Sequence, residues 1–268
     1  APDYVEHFID GLRKAGLGIA AANEASPVLP ESSKSLAPTP VTARGDDGFW
    51  VAVLPFKCRG TDGALTALAE GLSEEIVTGL SRFSYLRVIS RSSTMRFTDA
   101  AFDVRTVGKE LGARYVVEGS LRQAGTQLRL TVQLIDAVTG AHLWAETYER
   151  AFSPQSAFDT QDELVPRIVA TIADVHGILP RSMGAVLRTR DPAQLTPYEA
   201  VLRSFTYSER ITADELAAAL SGLELAVKRA PANGDVWAML AWLCLQDHAQ
   251  GFGVQPDIQG VQHRPHHR

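Results

Sequence analysis

RYVVEGSLRQAGTQLRLTVQLIDAVTGAHLWAETYE, residues 114–149, reads as three strands joined by two short glycine-containing links. In its middle part Leu128, Leu130, Val132 and Leu134 share one face, while Arg129, Thr131 and Gln133 share the other. Such period-two alternation marks a strand buried on one side only. Strands are expected over 114–122, 127–136 and 141–149. The links Ala124-Gly125-Thr126 and Val138-Thr139-Gly140 suit hairpins, so the product is an antiparallel meander with one solvated face.

Upstream, Phe49-Trp50-Val51-Ala52-Val53-Leu54-Pro55-Phe56 is a continuous apolar run, as in a strand buried on both faces. Pro55 donates no hydrogen bond and belongs near its end. Over residues 63–83, Leu65, Leu68, Leu72, Ile76, Leu80 and Phe83 recur every three or four positions and predict an amphipathic helix. A short strand over Leu86-Arg87-Val88-Ile89 completes a βαβ unit. A second helix fits 103–111, with Asp103 as N-cap and Gly112 as C-cap. The fold class is therefore α/β: a mixed sheet with a βαβ start and an antiparallel meander, followed by an all-α segment.

That segment begins with an amphipathic helix over 156–176, its inward side carrying Phe158, Leu164, Ile168 and Ile172. Pro166 should kink this helix or open its main part. Residues 177–195 read as a connector. Beyond them, Ala219, Leu223, Ala226 and Pro231 stand at positions 20, 24, 27 and 32 of a 34-residue frame. Trp237, Leu240, Ala241 and Cys244 stand at positions 4, 7, 8 and 11 of the next frame. This is the tetratricopeptide (TPR) spacing, in which small residues let paired helices approach. Arg203 and Thr206 occupy large apolar positions of that pattern and fit it poorly. The divisions expected are a short helix within 1–19, a flexible linker over 20–48, an α/β domain over 49–152, helix and connector over 153–195, TPR-like helices over 196–250 and a disordered tail over 251–268.

Composition bounds the function. With 45% hydrophobic and 21% charged residues the chain is ordinary globular protein with a sizeable core. A net charge of −5 lacks the basic excess that nucleic-acid binding requires, so no nucleic acid is expected as a partner. No run of 18 apolar residues predicts a membrane span. Cys58 and Cys244 lack metal or redox spacing, which suits a reduced, cytoplasmic setting.

No catalytic constellation, cofactor motif or metal-ligand set emerges, so the expectation is a non-enzyme that binds a protein partner, with homo-oligomerisation left open. The candidate partner-binding residues are Trp144 and Tyr148, sharing one face of the last strand with His142, and Trp237 and Leu240 on the helical repeat. Core burial is the competing reading for the aromatics. Arg87, Arg91, Arg96 and Arg105 cluster in sequence with three serines and are the anion-site candidates, because guanidinium binds phosphate bidentately. Glu70, Glu74 and Glu75 read as a solvated helix face, and Gly71 as a packing contact.

Several blocks carry a family resemblance. Val51-Ala52-Val53-Leu54-Pro55-Phe56, Glu70-Gly71-Leu72-Ser73-Glu74-Glu75, Leu86-Arg87-Val88-Ile89-Ser90-Arg91, Val107-Gly108-Lys109-Glu110-Leu111-Gly112, Tyr115-Val116-Val117-Glu118-Gly119-Ser120 and Thr139-Gly140-Ala141-His142-Leu143-Trp144 occur in order. Together they resemble the TolB N-terminal-like domain over about residues 49–150. The resemblance implies a bacterial multidomain signalling protein in which tetratricopeptide repeats follow this domain. A class III adenylate cyclase domain or a winged-helix DNA-binding domain commonly precedes it. Gly11-Leu12-Arg13-Lys14-Ala15-Gly16-Leu17 is similar to the segment that follows the catalytic domain in such cyclases. Three readings follow: a free-standing interaction module, the C-terminal regulatory portion of a cyclase, or the effector portion of a winged-helix regulator.

Overall fold

The structure, a computed structural model, describes residues 49–59, 63–98 and 102–254. The expected helix within 1–19, the linker over 20–48 and most of the tail lie outside the described residues. Strands β1 (Trp50–Val53), β2 (Lys57–Arg59), β3 (Arg87–Val88), β4 (Tyr115–Ala124), β5 (Gln127–Asp136) and β6 (Ala141–Ala151) form one six-stranded sheet. Its order is β3-β1-β4-β5-β6, with β2 also pairing β4. The β1, β2 and β3 pairings are parallel and the β4-β5-β6 meander is antiparallel.

Pro55 shapes the first strand more than its position suggested. Without an N–H it interrupts the ladder: of the expected run 49–56 only β1 is strand, and β2, which the sequence reading did not include, resumes beyond it, both parallel to β4. Leu54 N–H still donates to the Val117 carbonyl at 2.9 Å, so the chain bends but keeps its line. The apolar run is buried on both faces, as a strand inside a covered sheet must be. Val51 and Val53 face one core, Ala52 and Leu54 the other.

Helix α1 (Gly63–Leu80) links β1 and β2 to β3 and packs on the sheet with Leu65, Leu68, Leu72, Ile76 and Leu80 buried. On the opposite face sit the short α2 (Arg91–Thr94), a 3-10 turn and α3 (Val104–Leu111). Asp103 caps α3 by accepting from Arg105 N–H at 2.9 Å. Gly112 ends it at φ 66°, a left-handed conformation that costs glycine little. The far half of that face, carrying Glu118, Ser120, Thr131, Gln133 and Thr147, remains polar and partly or fully exposed.

A six-strand mixed sheet followed by a helical segment is thus the architecture. After β6 come α4 (Ala157–Ala173), α5 (Ile178–Leu187), α6 (Pro197–Ser204), the single turn α7 (Thr206–Glu209), α8 (Ala213–Arg229) and α9 (Gly234–Gln250). Two local expectations need correction. Residues 178–187, read as connector because of Gly177, Pro180 and Gly184, are helix α5; Leu179, Met183 and Leu187 on its inner side bury completely. Phe158, read as inward, is 77% exposed, because the buried stripe of α4 runs through Thr160, Gln161, Leu164, Val165, Ile168 and Ile172.

The helices share one apolar core with the sheet. Tyr85 stands at the junction, its hydroxyl donating to the Ala173 carbonyl at the end of α4. Its own carbonyl accepts from the Tyr198 hydroxyl on α6 at 3.0 Å, and its ring meets Phe205 edge-on at 4.9 Å. Tyr115 on β4 bonds Ser182 on α5 at 3.1 Å. The guanidinium of Arg87 lies 4.4 Å from the Tyr198 ring centre. Burial pushes the Tyr85 hydroxyl well above the usual tyrosine range, with Asp174 adding to the effect.

Helices α8 and α9 pack together across a short turn at Pro231. Ala219, Leu223, Ala226, Leu240, Ala241 and Cys244 are buried along with Trp237, whose indole N–H donates to the Pro231 carbonyl at 2.9 Å. Arg203 and Thr206 fill apolar positions by making their own polar core. Arg203 is 6% exposed, bonds Glu215 at 2.9 Å and also reaches the Thr206 hydroxyl.

Candidate functional site

Two helices lie side by side on the sheet: α1 over β1 and β4, and α4 beside it toward β6. Glycine sets their spacing. A Cβ at Gly79 would stand 2.7 Å from Val169 Cγ2, and one at Gly71 would overlap the Gln161 amide. These glycines, eight residues apart on one side of α1, let α4 approach closely in parallel. The expected packing role of Gly71 is thus seen in the structure.

Outside that contact line runs a groove of about 700 Å³. Val165, Val169, Gly79 and Phe83 give it an apolar floor. Glu75, Asp162 and Asp174 stand around it with one guanidinium, Arg82. Pro166 forms part of the wall and has no N–H to give the Asp162 carbonyl, so that oxygen lacks its helical donor. Exposed Phe158 lies one turn before Asp162 on the same helix. The site can take an apolar side chain flanked by positive charge or by a hydrogen-bond donor. Among the described residues no group of three or more His, Cys, Asp or Glu side chains is placed to hold a metal ion.

The residues singled out from sequence lie elsewhere. Tyr148 is 5% exposed, Trp237 7% and Leu240 3%, so all three hold the core together rather than presenting a partner surface. Burial raises the Tyr148 hydroxyl pKa, Glu146 raises it further, and Arg167 stacks 5.0 Å from its ring. Trp144 is half-buried against the same core. His142 does not share their face. A bulge slips the register between Leu134 and Ile135, setting Trp144 opposite Leu134 but His142 opposite Ile135.

The four arginines do not converge either. Arg87 lies between Trp50 and Tyr198, Arg91 pairs with Glu74 at 3.7 Å, and Arg96 pairs with Glu110 at 3.3 Å over the Phe97 ring. Arg105 packs on Gly140. Each has a separate partner, which leaves no shared anion cradle. Of the groove residues on α4 only Pro166 stood out in the sequence, and for its effect on the helix rather than for a groove. Their only signal is the Gly71–Gly79 repeat on α1, which needs a second helix to be interpreted.

Residues 48–167 match the family model described as HilA/YgeH-like transcriptional regulator, second domain. The match ends inside α4 and so includes the sheet, α1 and most of the groove. It also contains the stretch whose blocks resemble the TolB N-terminal-like domain. A protein of Rhizobium meliloti (strain 1021) named "Putative adenylate cyclase 3" is 44% identical over 119 residues. The aligned region is 44% of this chain and 20% of that protein. Among solved structures, lipoprotein GNA1162 from Neisseria meningitidis aligns at 18% identity and TM-score 0.36, covering 47% of this chain and 96% of that one. TolB from Acinetobacter baumannii aligns at 20% identity and TM-score 0.31, covering 47% and 29%. Among the described residues no helix is long and apolar enough to cross a membrane.

Proposed function

We propose that this chain is a non-catalytic interaction and regulatory module of a bacterial signalling protein, and that the α1–α4 groove is where it receives a protein partner. The groove carries this reading. An apolar floor bordered by three carboxylates suits an amphipathic segment with basic residues, the helix-in-groove mode of recognition. Trp237 and Leu240 drop out as contact residues because they are core. On this reading residues 49–152 and 196–250 are an α/β unit and a TPR-like helical unit of the same regulator.

Two fuller contexts have one observation each. The identity to a cyclase-named protein favours a regulatory portion attached to a class III adenylate cyclase, with cyclase chemistry outside this chain. The HilA/YgeH-like match favours an effector portion attached to a winged-helix DNA-binding domain.

Fluorescence anisotropy with a panel of labelled basic amphipathic peptides tests the groove. Binding should weaken as salt rises, because exposed charge pairs are screened within about 8 Å at physiological ionic strength. Asp162→Lys with Glu75→Lys should abolish it for basic peptides and create it for acidic ones. Binding that ignores both substitutions would remove the groove from the proposal. The chain alone should turn over no ATP; cyclic nucleotide production would overturn the non-catalytic reading.

A further inference from the structure

Strand β6 is an 11-residue edge strand: among the described residues it pairs only with β5. Phe152 N–H bonds the Thr126 carbonyl at 2.8 Å, which fixes the phase of the ladder. In an antiparallel pair the bonded positions alternate. Arg150, Tyr148, Glu146 and Trp144 therefore turn their backbone groups to β5, while Ala145, Thr147, Glu149 and Ala151 turn theirs outward. The stretch 145–151 contains no proline or glycine, and the bulge lies beyond it. Proline and a bulge, two devices that blunt an edge, are thus missing from these seven residues, and the charges that remain, Glu146, Glu149 and Arg150, are of both signs.

We propose that this edge pairs antiparallel with the same edge of a second copy, about a twofold axis at Thr147. The two six-stranded sheets then become one. The self-pairing is complementary in charge. Thr147 meets Thr147, Ala145 meets Glu149, and Glu146 meets Tyr148 of the other copy, with no like charges directly opposed. Trp144 meets Arg150, a cation–π pairing that uses the half-buried indole. The helical layer fits as well. Helix α4 borders β6 through the Arg150–Glu163 and Glu146–Arg167 pairs. The two copies of α4 then run antiparallel on either side of the axis. Exposed Glu163 and Arg167, now paired to Arg150 and Glu146, come within reach of their counterparts.

Two variants of the full chain test the edge. Thr147→Pro removes an outward N–H without touching the β5 ladder, so circular dichroism should be unchanged. It deletes both hydrogen bonds at the axis and should weaken the dimer measured by analytical ultracentrifugation ~30-fold. Thr147→Cys, with Cys58→Ser to remove background, places two thiols on facing positions with Cα atoms about 5.5 Å apart, inside disulfide range. It should oxidise to a covalent dimer, whereas Glu149→Cys on the same background should not. A monomer at all concentrations, a dimer indifferent to Thr147→Pro, or crosslinking equal at both cysteines would each overturn the proposal.

Discussion

Removing the Glu215 carboxylate should be among the most damaging single changes in the helical segment. Arg203 is buried in a small polar core, where Glu215 accepts its guanidinium at 2.9 Å and the Thr206 hydroxyl at 3.2 Å. Glu215→Leu strands a positive charge in an apolar surround, a loss of about 3–5 kcal/mol for a broken buried pair. Glu215 retains 15% side-chain exposure, so the lower end, about 3 kcal/mol, applies. With a urea slope of about 2–3 kcal/mol per molar for a chain of this size, the unfolding midpoint should fall by ~1 M. Arg203→Met combined with Glu215→Leu should recover most of this, since replacing both partners by apolar groups is often neutral. Thr206 keeps a partner in the double variant, because its hydroxyl can donate instead to the Arg203 carbonyl, 2.8 Å away. Urea melts followed by circular dichroism measure all three proteins. A single-variant shift below ~0.3 M, or a double variant no better than the single, would refute the assignment of this pair as a desolvated unit.

Four further changes probe other parts of the fold. Gly79→Ala gains about 1 kcal/mol of helix propensity but drives a Cβ to 2.7 Å from Val169; thermal melts should show net destabilisation, largely relieved when Val169→Ala is added. Pro166→Ala restores a hydrogen bond to the Asp162 carbonyl and should raise the melting temperature by several degrees, since interior proline costs about 3 kcal/mol. Burial pushes the Cys244 thiol up to about 11, with Asp247 and Glu224 adding to the shift. The folded chain therefore keeps a proton that the unfolded chain loses near pH 8.5. That stability is fully present below about 8.5 and lost as pH rises to about 11, so Cys244→Ala should lose less stability over that window in urea melts. Tyr85→Phe strips a donor from the Ala173 carbonyl and should speed amide exchange in α4, α5 and α6 more than in the central strands.

The sheet was legible in the sequence because its cues are local. Alternation in Leu128–Leu134, glycine-bearing links and the Asp103/Gly112 caps each act within a few residues, and all reappear in the structure. What escaped depends on contacts between distant segments. Trp237 and Leu240 were candidates for a binding surface; helices α6 and α8, packed against α9, bury them instead. One inserted residue near Leu143 separates His142 from Trp144, and nothing in the strand's composition announces it. Arg203 and Thr206 weaken the repeat pattern because Glu215, on the separate helix α8, turns them into a buried polar core. The groove is invisible for a similar reason: Gly71 and Gly79 are ordinary helix glycines until α4 lies against them.

Placement gives the groove a mechanical connection to the helices. Phe83 and Asp174 line its lower end. Between them in space stands Tyr85, which grips the Ala173 carbonyl with its hydroxyl and offers its own carbonyl to Tyr198. Hydrogen bonds thus join α4 beside the groove to α6, and the edge-on ring contact joins Tyr85 to Phe205 at the end of α6. The helical appendage shares its core with the sheet, so the groove is joined to the helices by packed side chains rather than by a tether.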